Sequence, residues 1–291
     1  MKRFTPYIVL MMASWLLISC EKEVTVDLPE GKKFFVVEAS INQMFPNLNY
    51  VFITKSMDYF NPDLSLFGVK DALVYITPGT IAGTDTAYDI ANRIQLYDIQ
   101  TVPGVDQFLN GFNGIYFNVN LSPQVGVPYL LEIEVEGQKI TGTTVIPPVV
   151  EIDTLIYKIN YDLAEGDTDI FVTFEFTDGP EQNNYRLFRY KSYNPLLIGW
   201  GTADFTRLFD DALLNNGTRP YSFFSPYDYS DTLNLYLTSI GRKEYLFWQS
   251  YGTARNNGGP FATPTEVTST LQGAIGSFTG YGVSFRRVIL Q

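Results

Sequence analysis

No histidine occurs anywhere in the 291 residues. That removes the side chain that titrates nearest neutral pH, the commonest general base and the commonest metal ligand. Every Ser-His or Cys-His nucleophile pair is excluded with it. There is a single cysteine, Cys20, so an intramolecular disulfide cannot form. Zinc and copper sites draw on imidazole and thiolate, and neither is expected here. No Gly-x-Ser-x-Gly elbow is present, because Gly276-Ser277-Phe278 has the wrong spacing for one. Long apolar runs are missing too: the stretch from Tyr7 to Ile18 falls short of the about 20 residues that a membrane-crossing helix needs. There is no repeat period and no low-complexity tract. Basic residues are outnumbered, 20 against 31 acidic ones, which argues against nucleic acid and anionic lipid as partners. No cofactor is called for.

What is present starts at the amino terminus. Met1-Lys2-Arg3, the short apolar run and Ser19-Cys20 are the parts of a secretory signal. Leu17-Ile18-Ser19-Cys20 fits a bacterial lipobox, in which the cysteine thiol is acylated before cleavage. The plainer alternative is an ordinary signal peptide that ends near a cysteine. In the lipobox reading, residues 1–19 are removed and Cys20 becomes the lipid anchor. Lys2 and Arg3 then leave while every acidic residue stays, so the mature chain is more acidic still. Glu21-Lys22-Glu23 resembles the Lys-acidic signal, here Lys22 and Glu23, that sends Bacteroidetes lipoproteins to the exterior face of the outer membrane. Its alternative is a charged, solvated tether. Residues 20–33, with Pro29 and Gly31, read as the linker that lifts the body off the membrane.

The dominant period in the body is two, the strand signal. Leu131, Ile133 and Val135 alternate with Glu132, Glu134 and Glu136. Ile115, Phe117, Val119 and Leu121 alternate with Tyr116, Asn118 and Asn120, which predicts the first set as the buried face. Ile170, Val172, Phe174 and Phe176 repeat the pattern, as do Leu233, Leu235 and Leu237. Such alternation favours antiparallel sheets with one wet face. Turns are expected at Pro78-Gly79, Asn113-Gly114, Asp178-Gly179-Pro180 and Asn215-Asn216-Gly217. Roughly 270 residues beyond Cys20 suit two ordinary domains or one large sandwich. Pro147-Pro148 cannot sit in a central strand and suggests a boundary, so two antiparallel β-sandwich-like domains are expected, at 34–147 and 148–291. The second should carry one or two short helices. The clearer runs from Gly241 to about Tyr251, with Ser239 near its start and Tyr245, Leu246 and Trp248 towards a sheet. The weaker spans Asp204 to Leu214.

Three kinds of chemistry remain to be weighed. Asp204, Asp210, Asp211, Asp228 and Asp231 are acids that a glycosidase could pair, or solvated loop acids on an acidic protein. Gly166-Asp167-Thr168-Asp169 has the start of a calcium loop but lacks the later ligands, and an acidic β-turn explains it as well. Binding has the richest signal. Tyr221, Phe223, Phe224, Tyr227 and Tyr229 crowd nine residues that also hold Pro226 and Asp228. On a loop, with Trp200 nearby, such rings offer contact area at low entropic cost; on a strand, they enter the core. Asp85-Thr86-Ala87, Asp153-Thr154-Leu155 and Asp231-Thr232-Leu233 also match the short Asp-Thr-apolar acceptor of O-glycosylation in Bacteroidetes.

Several segments taken together resemble the Bacteroidetes lipoprotein family known as domain of unknown function 4249. They are Phe35-Val36-Val37-Glu38-Ala39-Ser40-Ile41; then Val69-Lys70-Asp71-Ala72-Leu73-Val74-Tyr75-Ile76, Gly114-Ile115-Tyr116 and Gly126-Val127-Pro128-Tyr129-Leu130-Leu131; and last Tyr245-Leu246-Phe247-Trp248, Gly259-Pro260-Phe261-Ala262-Thr263-Pro264 and Leu271-Gln272-Gly273-Ala274-Ile275-Gly276-Ser277-Phe278. A final strand follows, here Tyr281 to Leu290. Ser269-Thr270-Leu271 departs from the Asn and Ile the family more often shows before that turn. The N-terminal series is similar to immunoglobulin-like or transthyretin-like modules. The resemblance implies no catalytic residues, and it implies an accessory to a TonB-dependent outer-membrane receptor. The expected function is therefore that of a non-enzymatic surface lipoprotein partnered with an outer-membrane β-barrel and held to the membrane by its lipid. The alternative is a stand-alone glycan or peptide binder.

Overall fold

A computed structural model describes residues 33–56, 68–101, 113–162, 167–180, 183–191, 203, 205–214, 217–225, 231–257 and 265–291. The signal segment, Cys20, Lys22 and Glu23 lie outside the described residues, as do Trp200, Asp204, Tyr227, Asp228 and Tyr229. From Lys33 onward the chain forms one compact unit. It is mainly β, with a large mixed sheet and a second, small sheet in a sandwich-like arrangement.

The first strands are β1 (Phe35–Asn42), β2 (Tyr50–Lys55), β3 (Leu73–Ala82), β4 (Asp85–Tyr88), β5 (Ile94–Asp98), β6 (Ile115–Phe117), β7 (Pro128–Val135) and β8 (Gln138–Val145). Their inward residues make one core: Val37, Ala39 and Ile41 of β1, Val51 and Ile53 of β2, Val74 and Ile76 of β3, and Leu131, Ile133 and Val135 of β7. Glu134, one step out of phase, is exposed, as the alternation predicts. At β6 the phase is the reverse of the predicted one. Tyr116 is 1 % exposed in that core, Ile115 packs on the opposite face, and Val119 is exposed beyond the strand end. The sheet is covered on both sides there, so apolarity alone cannot report which side faces which core. Pro78-Gly79 is likewise no turn but lies inside β3. Pro78 falls where β3 exchanges its β5 neighbour for β4, a position that tolerates a missing N–H.

The later elements are β9 (Ile152–Asp162), β10 (Asp167–Thr177), β11 (Asn184–Lys191), β12 (Phe205–Phe209), β13 (Thr218–Ser225), β14 (Thr232–Ile240), α1 (Arg242–Asn256), β15 (Leu271–Gln272) and β16 (Ile275–Ile289). The small sheet runs β13-β10-β9. Its Ile170, Val172, Phe174 and Phe176 pack on Leu233, Leu235 and Leu237 of β14 in a second core, so that alternation holds as read. A third core lies on the other face of the large sheet, where Tyr245, Phe247 and Trp248 of α1 meet Phe188, Tyr281 and Val283. Leu246, expected to face the sheet, is 37 % exposed instead; Phe247 takes the inward place, three residues after the buried Glu244 on the helical repeat. α1 begins after Gly241, and Ser239 belongs to β14. The weaker helix is strand β12 followed by a single 3-10 turn at Asp211–Leu213.

One strand joins these parts. The first half of β16 pairs parallel with β1, Val37 opposite Gly276, and its second half pairs antiparallel with β14, Leu237 opposite Ser284. Apart from an isolated parallel bridge between Val125 and Ile146, the other strand pairings among the described residues are antiparallel, so the large sheet is mixed rather than purely antiparallel. Gly280 lets β16 pass close to β8: a Cβ there would meet the Val145 carbonyl oxygen at 2.7 Å. The Thr144 hydroxyl accepts the Gly280 N–H at 2.9 Å.

Candidate functional site

The aromatic segment is a strand, not a loop, as far as it is described. β13 pairs with β10, Phe174 opposite Tyr221 and Val172 opposite Phe223. Phe223 is buried and Tyr221 is half-buried, both against the second core. Tyr221 meets Phe174 and Phe209 edge-on at 5.6 and 5.2 Å. Of the two readings of the segment, a binding loop or a strand whose rings enter the core, Tyr221 and Phe223 follow the second, their rings stacking within the sandwich. Phe224 has its backbone in β13, opposite Phe171, and its side chain lies outside the described residues.

Of the candidate acids, Asp210 and Asp211 are neighbours near Asp178, while Asp204 and Asp228 lie outside the described residues. Asp210 accepts from the guanidinium of Arg242 at 2.8 Å and from the Ala212 N–H at 3.1 Å; the arginine holds its carboxyl below the ordinary range. Asp211 is shifted the other way, by burial first and then by Asp178. Asp178 is itself buried and accepts from the Tyr185 hydroxyl at 2.5 Å. These groups tie β12, β11 and the start of α1 together. Asp231 immediately precedes β14, where its carbonyl accepts the Leu290 N–H at 2.9 Å. Asp167 and Asp169 lie in β10, which continues antiparallel from β9. Among the described residues no group of His, Cys, Asp and Glu gathers as a metal-ligand set.

Among the described residues Glu244 is the most enclosed carboxylate, 2 % exposed in the first turn of α1. The Thr144 hydroxyl donates to it at 3.0 Å, and the Lys243 ammonium stands 3.6 Å away. Burial dominates and raises its pKa above the ordinary 4.5. Because the folded value is the higher one, the folded state binds the extra proton. The stabilising contribution is full below pH 4.5 and is lost as pH rises through the folded value. Glu244→Gln mimics the protonated acid. It should match the native protein in urea midpoint at pH 4 and exceed it at pH 7; equal midpoints at both would show that the carboxylate carries no such linkage.

A concave surface forms where β3 begins and β5 ends. The Tyr116 hydroxyl donates to the Val69 carbonyl at 2.9 Å and accepts the Ala72 N–H at 3.0 Å. Burial pushes this phenol up to about 12, so the hydroxyl keeps its proton. The two bonds hold the turn in which Asp71 adopts φ 61°, a left-handed conformation that aspartate tolerates better than most residues. Beside it lies a cavity of about 270 Å³ lined by Lys70, Asp71, Gln95, Tyr97, Asp98 and Gln100 among others. The recess offers carboxylate and amide hydrogen-bonding groups beside a half-exposed phenol ring.

The other open feature is the outer face of the small sheet. Phe171 is 42 % and Ile156 49 % exposed. Phe171 stands opposite Lys158, and Ile156 opposite Thr173, which makes the two apolar side chains diagonal neighbours. Both were legible as off-phase residues: each is apolar where the alternation calls for a wet position. No comparable signal marks the Asp71 turn, whose shape depends on Tyr116 of a distant strand.

A protein-family model with the description Domain of unknown function (DUF4249) matches residues 21–287. No curated protein matches the chain.

Proposed function

The chain belongs to the DUF4249 family, and on that footing we propose that it is a non-enzymatic lipoprotein of the outer membrane. In this reading a lipid on Cys20 anchors it, Lys22 and Glu23 direct it to the exterior face, and it serves as accessory subunit to a TonB-dependent or other β-barrel. The observation that carries the reading is the outer face of the β9-β10-β13 sheet. Ile156 and Phe171 are exposed there at diagonal positions, and apolar exposure on a sheet face is what a protein partner covers. The lipid raises the local concentration of that face at the membrane, so a modest contact suffices for association. Acidic composition supports a protein partner over nucleic acid. The competing reading, a stand-alone glycan or peptide binder built on Trp200 and residues 221–229, loses Tyr221 and Phe223 to the core.

The test is a pull-down of the tagged protein from native outer membranes in gentle detergent, with mass spectrometry of what accompanies it. The expected outcome is stoichiometric recovery of a barrel with the native chain, and its loss with the double substitution Ile156→Lys, Phe171→Glu at unchanged thermal midpoint. Cys20→Ser should shift the protein out of the membrane fraction. Recovery of the lipoprotein alone, or full retention of the barrel by the double variant, would count against the proposed partner or face respectively.

A further inference from the structure

Arg186 is a buried cation whose partners among the described residues are all neutral. It lies on β11, 8 % exposed, on the face of the large sheet that α1 covers. Its guanidinium carbon is 3.5 Å from the centroid of the Trp248 ring and 4.6 Å from that of Phe188. One nitrogen, Nη1, donates to the Tyr281 hydroxyl at 2.9 Å. No carboxylate among the described residues forms an ion pair with it. Glu38 is near enough to act on Tyr281 and Tyr190, but its carboxylate accepts from the Tyr50 hydroxyl at 2.6 Å.

A guanidinium withdrawn from water without a counter-charge is costly, and ring faces offset that cost only in part. Rings occupy the faces of the ion; its hydrogen-bonding capacity lies in the plane, along the N–H edges. There the fixed fork of an arginine matches the two oxygens of a carboxylate. The surroundings continue the aromatic wall. Tyr190 lies within electrostatic range of Arg186 and packs edge-on to Tyr236 at 5.4 Å. Tyr236 in turn meets Phe285 at 4.8 Å and Phe45 at 5.3 Å.

We propose that Arg186 is the recognition point for a carboxylate borne on an apolar body, the carboxylate taken by the in-plane N–H edge and the body by the neighbouring rings. Two sources carry that chemistry, a small organic acid and the carboxyl end of a peptide. Phosphate fits the charge but has no apolar surface to lay against the rings. The site goes beyond the accessory role and does not depend on it.

Trp248 supplies the readout, since its indole is stacked on the guanidinium. In the chain held in detergent, Trp200→Phe, with Trp15→Phe if residues 1–19 are retained, leaves Trp248 as the only indole. Its emission is followed at constant ionic strength while N-acetylleucine, N-acetylleucinamide, a free-carboxyl trileucine peptide, its amide, acetate or phosphate is added. The expected result is a saturable change with the free acids, weaker by about tenfold or more for acetate, and none with the amides. Tighter binding of the peptide acid than of N-acetylleucine identifies a chain end as the source, and the reverse order a small acid. Arg186→Lys should weaken binding by about tenfold or more, because a point charge cannot grip both oxygens, and Arg186→Met should abolish it. If the methionine variant does not fold, the lysine variant carries the comparison. Equal responses to acid and amide, saturation by phosphate at the same concentration as N-acetylleucine, an unaltered lysine variant, or no saturable response from the folded protein would each overturn the proposal.

Discussion

Alanine in place of Gly276 is expected to lower stability by roughly 4 kcal/mol, at the severe end for a single substitution. Gly276 has φ 150°, a conformation that side-chain-bearing residues rarely adopt, and a Cβ built there would overlap the Val37 carbonyl oxygen. Val37 is its register partner in the parallel β1–β16 pair. The obstacle is backbone, which cannot rotate aside as a side-chain end would. Room for the methyl group comes only by separating the two strands or re-shaping the turn before β16. That turn is itself tied down: the Ser269 hydroxyl donates to the Gly276 carbonyl at 3.0 Å and accepts the Gly276 N–H at 3.1 Å. Urea unfolding reads the effect as a lower midpoint at unchanged slope. A native midpoint in the alanine variant would mean that β1 and β16 do not approach this closely. Because β16 goes on to pair with β14, the damage should be felt beyond the first core. A tryptophan signal from Trp248 and far-ultraviolet ellipticity should therefore be lost together.

Truncating Phe174 to alanine is expected to cost about 3–5 kcal/mol, the usual range for emptying a buried phenylalanine site. Phe174 is fully buried between the small sheet and β14. Its ring stacks on Phe176 at 6.0 Å and meets Tyr221 and Phe223 at 5.6 and 6.5 Å. Rings packed this way cannot collapse into the gap without leaving their own contacts, so the cavity term stays large. Phe171 is the internal control, the same residue type three positions earlier on β10 but on the outer face. Phe171→Ala should cost under about 1 kcal/mol, while it weakens barrel association if that face is the docking surface. Equal losses at the two positions would contradict the register of β10 against β9 and β13.

The contrast between those phenylalanines shows what local pattern can report. Alternation is a property of one strand, so Ile170 to Phe176, Leu131 to Val135 and Leu233 to Leu237 could be assigned an inward face before any partner was known. The helix after Gly241 was visible for the same reason, its period being local, as was the absence of strand at Pro147-Pro148. The family resemblance was legible too, since it rests on short runs distributed along the chain. Where two faces are both covered, the pattern loses its sign. At β6 the aromatic Tyr116 went inward and Ile115 outward, because a third core waits on the other side of the sheet.

Tyr221 and Phe223 show a related ambiguity. Five aromatics within nine residues can serve a core or a surface equally well, and only the pairing of β13 with β10 decided for the core at Tyr221 and Phe223. The sequence by itself determined the mainly β class, the wet and dry sides of the singly covered strands, the exclusion of histidine chemistry and the family. The tertiary structure alone decided that β16 would run parallel to β1, that Tyr116 would hold Asp71 in its turn, and that Arg186 would lie against Trp248. Each of these joins residues tens to hundreds of positions apart, and the free energy that selects such a contact lies in packing between strands, which no local period encodes.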